Sequence, residues 1–381
     1  MCLTSKVFDP SNKLTRRGLL AGAGSLAAAV GLSGCSSGTG SATLPQTFDD
    51  VTVPPAIGEE RFEIILLGTQ GGPPIEPNRT GISTAVVIEG QVYLVDCGRA
   101  SASQYVRSGL QQRNLNSIFL THLHADHVSD FYDFFLAGGT VPNSAYGDWI
   151  ENPVHVHGPG PAGGLPPKFG GGEATTVGTD PTPGTIKFAD RLHDAFAYST
   201  NMFLRDSGIR DVRTLMDITE IGIPEVDVNY TTRAPSMTPF TVMEDDRVRV
   251  TAVLVPHGPV FPSFAFRFDT DYGSVTFSGD TAYSENVIRL ANRTDLLVHE
   301  AINLQGADLP EAFRSHMLES HVEVQRVGSV AEQAGARRLV LSHVADITNE
   351  SIDVDVWNGW AQEGYGGDAT VGSDLQRIQL A

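Results

Sequence analysis

The chain has 381 residues, enough for one large domain or two small ones, with 41% hydrophobic and 19% charged side chains, ordinary proportions for a globular protein. Its formal net charge of −19 repels polyanions and no basic run offsets it, so nucleic acid is not an expected partner. The 40 glycines and 22 prolines point to many turns and long loops.

The amino terminus reads as an address. Thr15–Arg16–Arg17–Gly18–Leu19–Leu20 precedes a modest Ala/Gly-rich apolar run over 21–32, the pattern of a twin-arginine export signal. The run is too short and too weakly apolar for a membrane span. It ends in Leu32–Ser33–Gly34–Cys35, which resembles a bacterial lipobox, so Cys35 is expected to carry a lipid and to tether the chain to a membrane. Residues 1–35 are therefore predicted to be a signal, and the protein an exported one: a cell-envelope lipoprotein, or periplasmic or extracellular. Of the three cysteines (Cys2, Cys35, Cys97), only Cys97 then stays free, which leaves no intrachain disulfide. Residues 36–60, rich in Ser, Gly and Thr, read as a flexible tether with little to bury.

The folded domain is expected over 61–381, beginning with a strand near Arg61–Gly68 and a loop of turn residues, Gly68–Pro74. Strands Ser83–Glu89 and Val92–Val95 follow, joined as a hairpin by Gly90–Gln91. Ser101–Arg113 reads as a helix, Ser117–Leu120 as a short buried strand, and about Val128–Leu136 as another helix. Residues 138–190 are rich in Gly and Pro and hold one predicted strand, Val154–His157; Ala189–Asp206 looks helical and Asp211–Val228 is mixed and acidic. Because long irregular stretches in compact domains are usually functional, about 140–235 is read as an insertion covering a site. Strands resume at Phe240–Glu244, Val248–Val255, Phe264–Phe268 and Ser274–Phe277. After them come a helix near Ser284–Ala291, strand Leu296–Val298, a helix near Glu319–Ala334 and strand Arg338–Leu341. Two strand-rich halves, each followed by helices, predict an α/β protein with four layers: helix, sheet, sheet, helix.

The chemistry concentrates where the predicted strand 117–120 ends, in Thr121–His122–Leu123–His124–Ala125–Asp126–His127. His122 and His124 share a strand face, while Asp126 and His127 sit in the turn that opens the next helix. Imidazole and carboxylate are the ligands expected for zinc or a similar divalent ion. Four further strands release polar groups at their ends: His257, Asp280, His299 with Glu300, and His343. Asp96 follows the second hairpin strand and reads as a support for ligands. His155, His157, His193 and His316 are left over; His155 and His157 share a strand face, but no carboxylate–histidine pair follows them, and they are read as structural or covering residues. Arg79 and Arg99, near predicted loops, are read as solvated, with contact to an anionic substrate as the alternative.

In this ordered set (Asp96, His122–His127, His257, Asp280, His343) the chain resembles the metallo-β-lactamase superfamily over about 61–345. It looks most like the ribonuclease Z and arylsulfatase branch, through Gly68–Thr69, Gly71–Gly72–Pro73, Ser278–Gly279–Asp280–Thr281, His299–Glu300–Ala301 and Ser342–His343. The resemblance implies an αββα sandwich with two zinc ions between the sheets. His122, His124 and His257 would hold one, Asp126, His127 and His343 the other, and Asp280 would bridge them. Two such ions can supply a hydroxide near neutral pH, with Asp126 holding its proton. His321, matching the family's histidine before the last ligand, would protonate the leaving group, positioned by Glu300. Asp280 departs from the ligand set usual in true β-lactamases and argues against antibiotic hydrolysis; His124, in place of a glutamate, argues against the flavodiiron branch. Ribonuclease Z proteins carry a basic arm between the motifs of His257 and Asp280, but here only Gly258–Gly279 separates them. The expected function is thus an exported dinuclear zinc hydrolase of a small anionic phosphodiester or sulfate ester. A thioester or lactone hydrolase and a non-catalytic metal-loaded binding lipoprotein are the alternatives.

Overall fold

A computed structural model describes residues 61–141, 148–224, 226–348 and 351–381. The predicted signal (1–35) and tether (36–60) lie outside the described residues.

The first strand, β1 (Phe62–Gly68), explains the layering. All of its residues are buried. Phe62, Ile64 and Leu66 belong to one core, and Ile65 and Leu67 to another. Alternate side chains of a strand point to opposite faces, so a strand that is apolar at every position needs cover on both sides. A second sheet covers one face and helices cover the other.

The first sheet runs β14 (Gln376–Gln379), β1, β2 (Ser83–Ile88), β3 (Gln91–Val95), β4 (Leu115–Phe119), β5 (Val154–Gly158), β6 (Met216–Glu220). The second runs β13 (Asp368–Val371), β12 (Arg338–Asp346), β11 (Leu296–Asn303), β10 (Gly273–Phe277), β9 (Phe264–Thr270), β8 (Arg249–Leu254), β7 (Phe240–Glu244). Tyr105 of α1 (Ser101–Arg107), Phe131, Phe134 and Phe135 of α3 (Phe131–Leu136) and Ala189 of α4 (Thr185–Ala195) cover the outside of the first sheet. Val287 and Leu290 of α6 (Glu285–Leu290), Val324, Val327 and Val330 of α8 (Val324–Ala334) and Trp357 of α9 (Val354–Gln362) do the same for the second. The expected αββα sandwich is the observed fold.

The differences lie at boundaries and edges. The helix expected over Ser101–Arg113 stops at Arg107, and the one expected near Val128 is two helices, α2 (Ala125–Val128) and α3. Ala189–Asp206 is also two: α4 ends at Ala195 and α5 (Ala197–Asp206) starts after Phe196, whose φ/ψ of −95°/8° breaks the regular turn. The stretch 140–235 is not one insertion. Its β5 and β6 pair in parallel with β4 and with each other, completing the first sheet. What remains outside the sheet is the Gly/Pro-rich loop over 159–184 with α4 and α5. The helix expected near Glu319–Ala334 begins only at Val324, as α8; a separate, unpredicted helix α7 (Glu311–Leu318) precedes it, and His321 lies in the link between them rather than at a helix start. Finally, α9, β13 and β14 extend the fold past the last predicted strand.

Candidate metal centre

The strands of both sheets end at one rim, and the polar residues released there converge. The backbone allows this through two close approaches. Gly279 sits at φ +58°, and a Cβ there would lie 2.4 Å from the Phe264 carbonyl oxygen. Only glycine can therefore turn the chain after β10 and deliver Asp280. Gly71 passes so close to β12 that a Cβ would meet the His343 ring and carbonyl at 2.8 Å. His343 itself adopts φ +57°, which swings its ring out of the strand toward the cleft.

Among the described residues three groups of donors form: His122, His124, His257 and Asp280; Asp126, His127 and His343; and Asp280, His321 and His343, with the donor atoms of each group within 4.8 Å of one another. In the first, His257 Nε2 is 3.2 Å from His124 Nδ1 and 3.6 Å from Asp280 Oδ2, and His122 Nε2 is 4.0 Å from that oxygen. In the second, Asp126 Oδ2 is 3.6 Å from His127 Nε2 and 3.4 Å from His343 Nε2. Asp280 joins the groups: Oδ1 is 3.4 Å from His127 Nε2, and Oδ2 is 3.3 Å from His343 Nε2. Ligands bound at about 2.1 Å in a tetrahedron stand about 3.4 Å apart, so these separations suit ion coordination.

Three buried atoms make the same point. His122 Nε2, His127 Nε2 and Asp280 Oδ1 have no hydrogen-bond partner. A buried polar atom without a partner is costly. All three face the space that divalent ions would fill, so the residues fit such a centre.

For His122, His127 and His257 the opposite ring nitrogens are spoken for, which orients the free ones, whereas His343 Nδ1 is buried without a partner. His127 Nδ1 donates to Asp96 Oδ2 at 2.8 Å, and His257 Nδ1 donates to the Ser320 carbonyl at 3.0 Å. Thr121 Oγ1 lies 3.1 Å from His122 Nδ1 and donates to Asp96 Oδ2, while Asp96 Oδ1 accepts from the Thr121 amide. Asp96 thus supports the motif without pointing into the cleft. Burial holds His122 well below, and His257 down at about 3, the usual imidazole range, so both keep free lone pairs at neutral pH. Burial pushes Asp126 and Asp280 up, but the neighbouring histidines prevail: the Asp126 carboxyl sits at about 2, and that of Asp280 well below its ordinary value.

His321 stands beside this cluster. Its ring centre is 5.1 Å from that of His257, and its Nδ1 is 3.3 Å from Glu300 Oε2. Burial would lower its pKa, but the Glu300 carboxylate outweighs burial and raises it to about 9. Glu300 is locked in turn, since Oε1 accepts from the Val322 amide at 2.7 Å and its own amide donates to Ser278 Oγ.

Residues 78–187 match the family model of the metallo-β-lactamase superfamily, and residues 192–344 that of the β-lactamase superfamily domain. The chain belongs to the metallo-β-lactamase superfamily. Ribonuclease Z of Mycobacterium marinum is 29% identical over 326 residues, covering 84% of this chain and 99% of that protein. Among solved structures, human tRNase Z, short form, is 20% identical with a TM-score of 0.54, covering 84% of this chain and 99% of that one. The metallo-β-lactamase fold protein YhfI of Bacillus subtilis is 16% identical with a TM-score of 0.53 over the same shares. Within that superfamily the chain is similar to ribonuclease Z proteins along nearly their whole length, and it shares their fold.

All seven residues predicted as ligands come together, and the leftover polar residues do not join them. His155 meets Asp217 at the surface, and His193 Nδ1 meets the Tyr132 hydroxyl. His157 stacks on Phe119, and His316 on Phe169. Arg79 donates to Thr69 Oγ1 and to the Gly372 carbonyl, and Arg99 donates to Gln70 Oε1, so both bind the 69–80 loop rather than standing in solvent. Sequence reasoning missed the latch behind that loop, in which Asp374 accepts from the Thr69 and Thr80 amides. It also missed the Ser320 carbonyl. Neither carried a signal, since a backbone acceptor and a lone Asp 294 and 305 residues from its partners leave no local pattern.

Proposed function

We propose that this chain is an exported phosphodiesterase that uses two divalent ions, zinc by preference, to cleave small anionic esters. The observation that carries the reading is the convergence of six ligand-type side chains around Asp280, with three buried donor atoms left unpartnered. His122, His124 and His257 would hold one ion, Asp126, His127 and His343 the other, and Asp280 both. When bound, such ions lower the pKa of water toward about 7 and counter the charge of a developing oxyanion.

The remaining work falls to this chain's own groups. Asp126, ionised at neutral pH, accepts the proton of the attacking water. His321, cationic beside Glu300, donates Nε2–H to the departing oxygen, and Glu300 takes no proton but fixes the ring. Asp96 and the Ser320 carbonyl keep two ligand rings in their tautomers.

The name of the relatives favours phosphorus over sulfur as the centre attacked, and it raises RNA as a second substrate reading, at odds with the expectation of no nucleic acid. Against RNA stand the net charge of −19 and a segment between His257 and Asp280 that holds only the β9–β10 hairpin. Export, and a lipid on Cys35, rest on Arg16–Arg17 and on Leu32–Cys35. Among the described residues no helix is long and apolar enough to cross a membrane.

The deciding experiment assays the purified, metal-analysed protein on bis-p-nitrophenyl phosphate, p-nitrophenyl sulfate, a thioester, a lactone and a precursor tRNA. Chelator-sensitive turnover of the phosphodiester is the expected result. No turnover of any of them with both ions bound would leave a binding protein.

A further inference from the structure

Beside the metal-ligand cluster lies a cavity of about 770 Å³ that the chemistry above does not use. His124 and Gly258 belong to its wall, so it opens directly on the donor atoms. Its opposite wall is the Gly/Pro-rich loop over 159–184, which contributes Leu165 and Phe169, and its floor includes Phe188, Val260 and Phe261. The lining is mostly apolar, and proline recurs in it. Among the described residues its full charges are Lys168, Arg233 and Glu319, a local excess of cations in an acidic chain. Leu165 and Phe169 stay 52% and 51% exposed although they face this space, and Phe169 already stacks on the His316 ring at 4.1 Å. Two half-exposed apolar side chains held over a roofed cleft leave surface that a ligand would bury.

We propose that the cavity is the subsite for the half of the ester that does not leave, and that it selects an apolar group of aryl or medium-chain alkyl size. The proposal rests on the phosphodiesterase reading above. The volume lies within the range of sites for small molecules, and the excess positive charge tolerates the anionic phosphorus entering beside it. Residues 159–184 supply about half of the cavity's lining residues, many of them apolar. Binding energy gained far from the reacting bond anchors the substrate and sets its specificity.

The test is a series of p-nitrophenyl phosphodiesters with a common leaving group and a retained methyl, butyl, hexyl or phenyl group, hydrolysed by the metal-loaded protein. Values of kcat/KM should rise about fourfold for each methylene that enters, the factor for burying one CH2, until the cavity is full. In Leu165→Ala/Phe169→Ala, which alters only half-exposed side chains, the rise should flatten while the methyl ester reacts as in the wild type. Val260→Trp, which fills the floor, should cut the hexyl and phenyl rates at least tenfold. Calorimetric titration with dibutyl against dimethyl phosphate supplies a binding readout free of turnover, and dibutyl phosphate should bind the tighter. A flat series in an active wild type overturns the subsite and leaves the phosphodiesterase reading standing. Preference for a precursor tRNA over every small ester does likewise. Failure to hydrolyse any ester with both ions bound overturns both.

Discussion

Replacing Glu300 by glutamine keeps the shape of the side chain and its contact with the Val322 amide but removes the charge facing His321. That charge outweighs burial and is the main cause of the rise of His321 to about 9; without it, the imidazole falls toward its ordinary 6.5 or lower, because burial then meets only the weaker pull of Asp280, which His127 opposes. A His whose folded-state pKa is raised is cationic below that value and loses its proton as pH rises through it. The acid form is therefore present in the wild type up to about pH 9, and in Glu300→Gln only up to about 6.5. At pH 8 the cationic fraction drops from about nine-tenths to about 3%, roughly thirtyfold. The assay is the pH profile of kcat on a phosphodiester with an alkyl alcohol leaving group, set beside one with p-nitrophenol. The alkyl ester needs the proton and should lose about thirtyfold at pH 8, with its alkaline limb displaced by at least two pH units; the nitrophenyl ester should barely respond. Bound cations lower both limbs together, so the separation between the two proteins carries the result. Superimposed limbs, or equal losses on both esters, would refute the assignment of His321 as the acid held by Glu300.

Three other outcomes follow from the same geometry. Asp96→Asn weakens the acceptor for His127 Nδ1 and should reduce metal affinity about 10–100-fold, measured by competition with a chromophoric chelator, with the fold intact by circular dichroism. Gly279→Ala forces a Cβ against the Phe264 carbonyl at a positive φ and should cost about 2 kcal/mol or more in urea denaturation. His157 is buried and stacked on Phe119, and neither ring nitrogen has a partner; burial holds it down at about 4. Its neutral form is the one that fits, so its contribution is complete above pH 6.5 and lost as pH falls from there toward 4. His157→Phe should retain on the order of 3 kcal/mol more stability at pH 4 than the wild type, relative to pH 7, in acid titrations. Equal acid sensitivity in the two proteins would mean that His157 is solvated.

Strand cores and ligands were legible because burial on both faces and the H-x-H-x-D-H spacing leave periodic or dense local marks. The site could be read as strand ends because β4, β8, β10 and β12 each carry buried apolar residues that stop no more than three positions before the ligand. The obscure parts have physical reasons. Gln376–Gln379 offers one apolar side chain in four, since β14 is an edge strand half open to solvent. Glu300 sits inside β11 at a register shift, so a charged residue that looks like a terminator is instead a bulge continuing the strand. Between α7 and α8, no proline or glycine marks the link that carries His321. In 140–235, β5 was legible as Val154–His157, but β6 has no fully buried position and its partner β5 lies far back in the sequence, so it shows only a mixed, acidic pattern.

The most direct test of the central claim is metal stoichiometry by native mass spectrometry together with elemental analysis, comparing the wild type with Asp280→Ala. The account predicts two divalent ions per wild-type chain, and loss of at least one in a variant that remains folded. A wild type that binds none at saturating zinc, or a variant that keeps both, would contradict it.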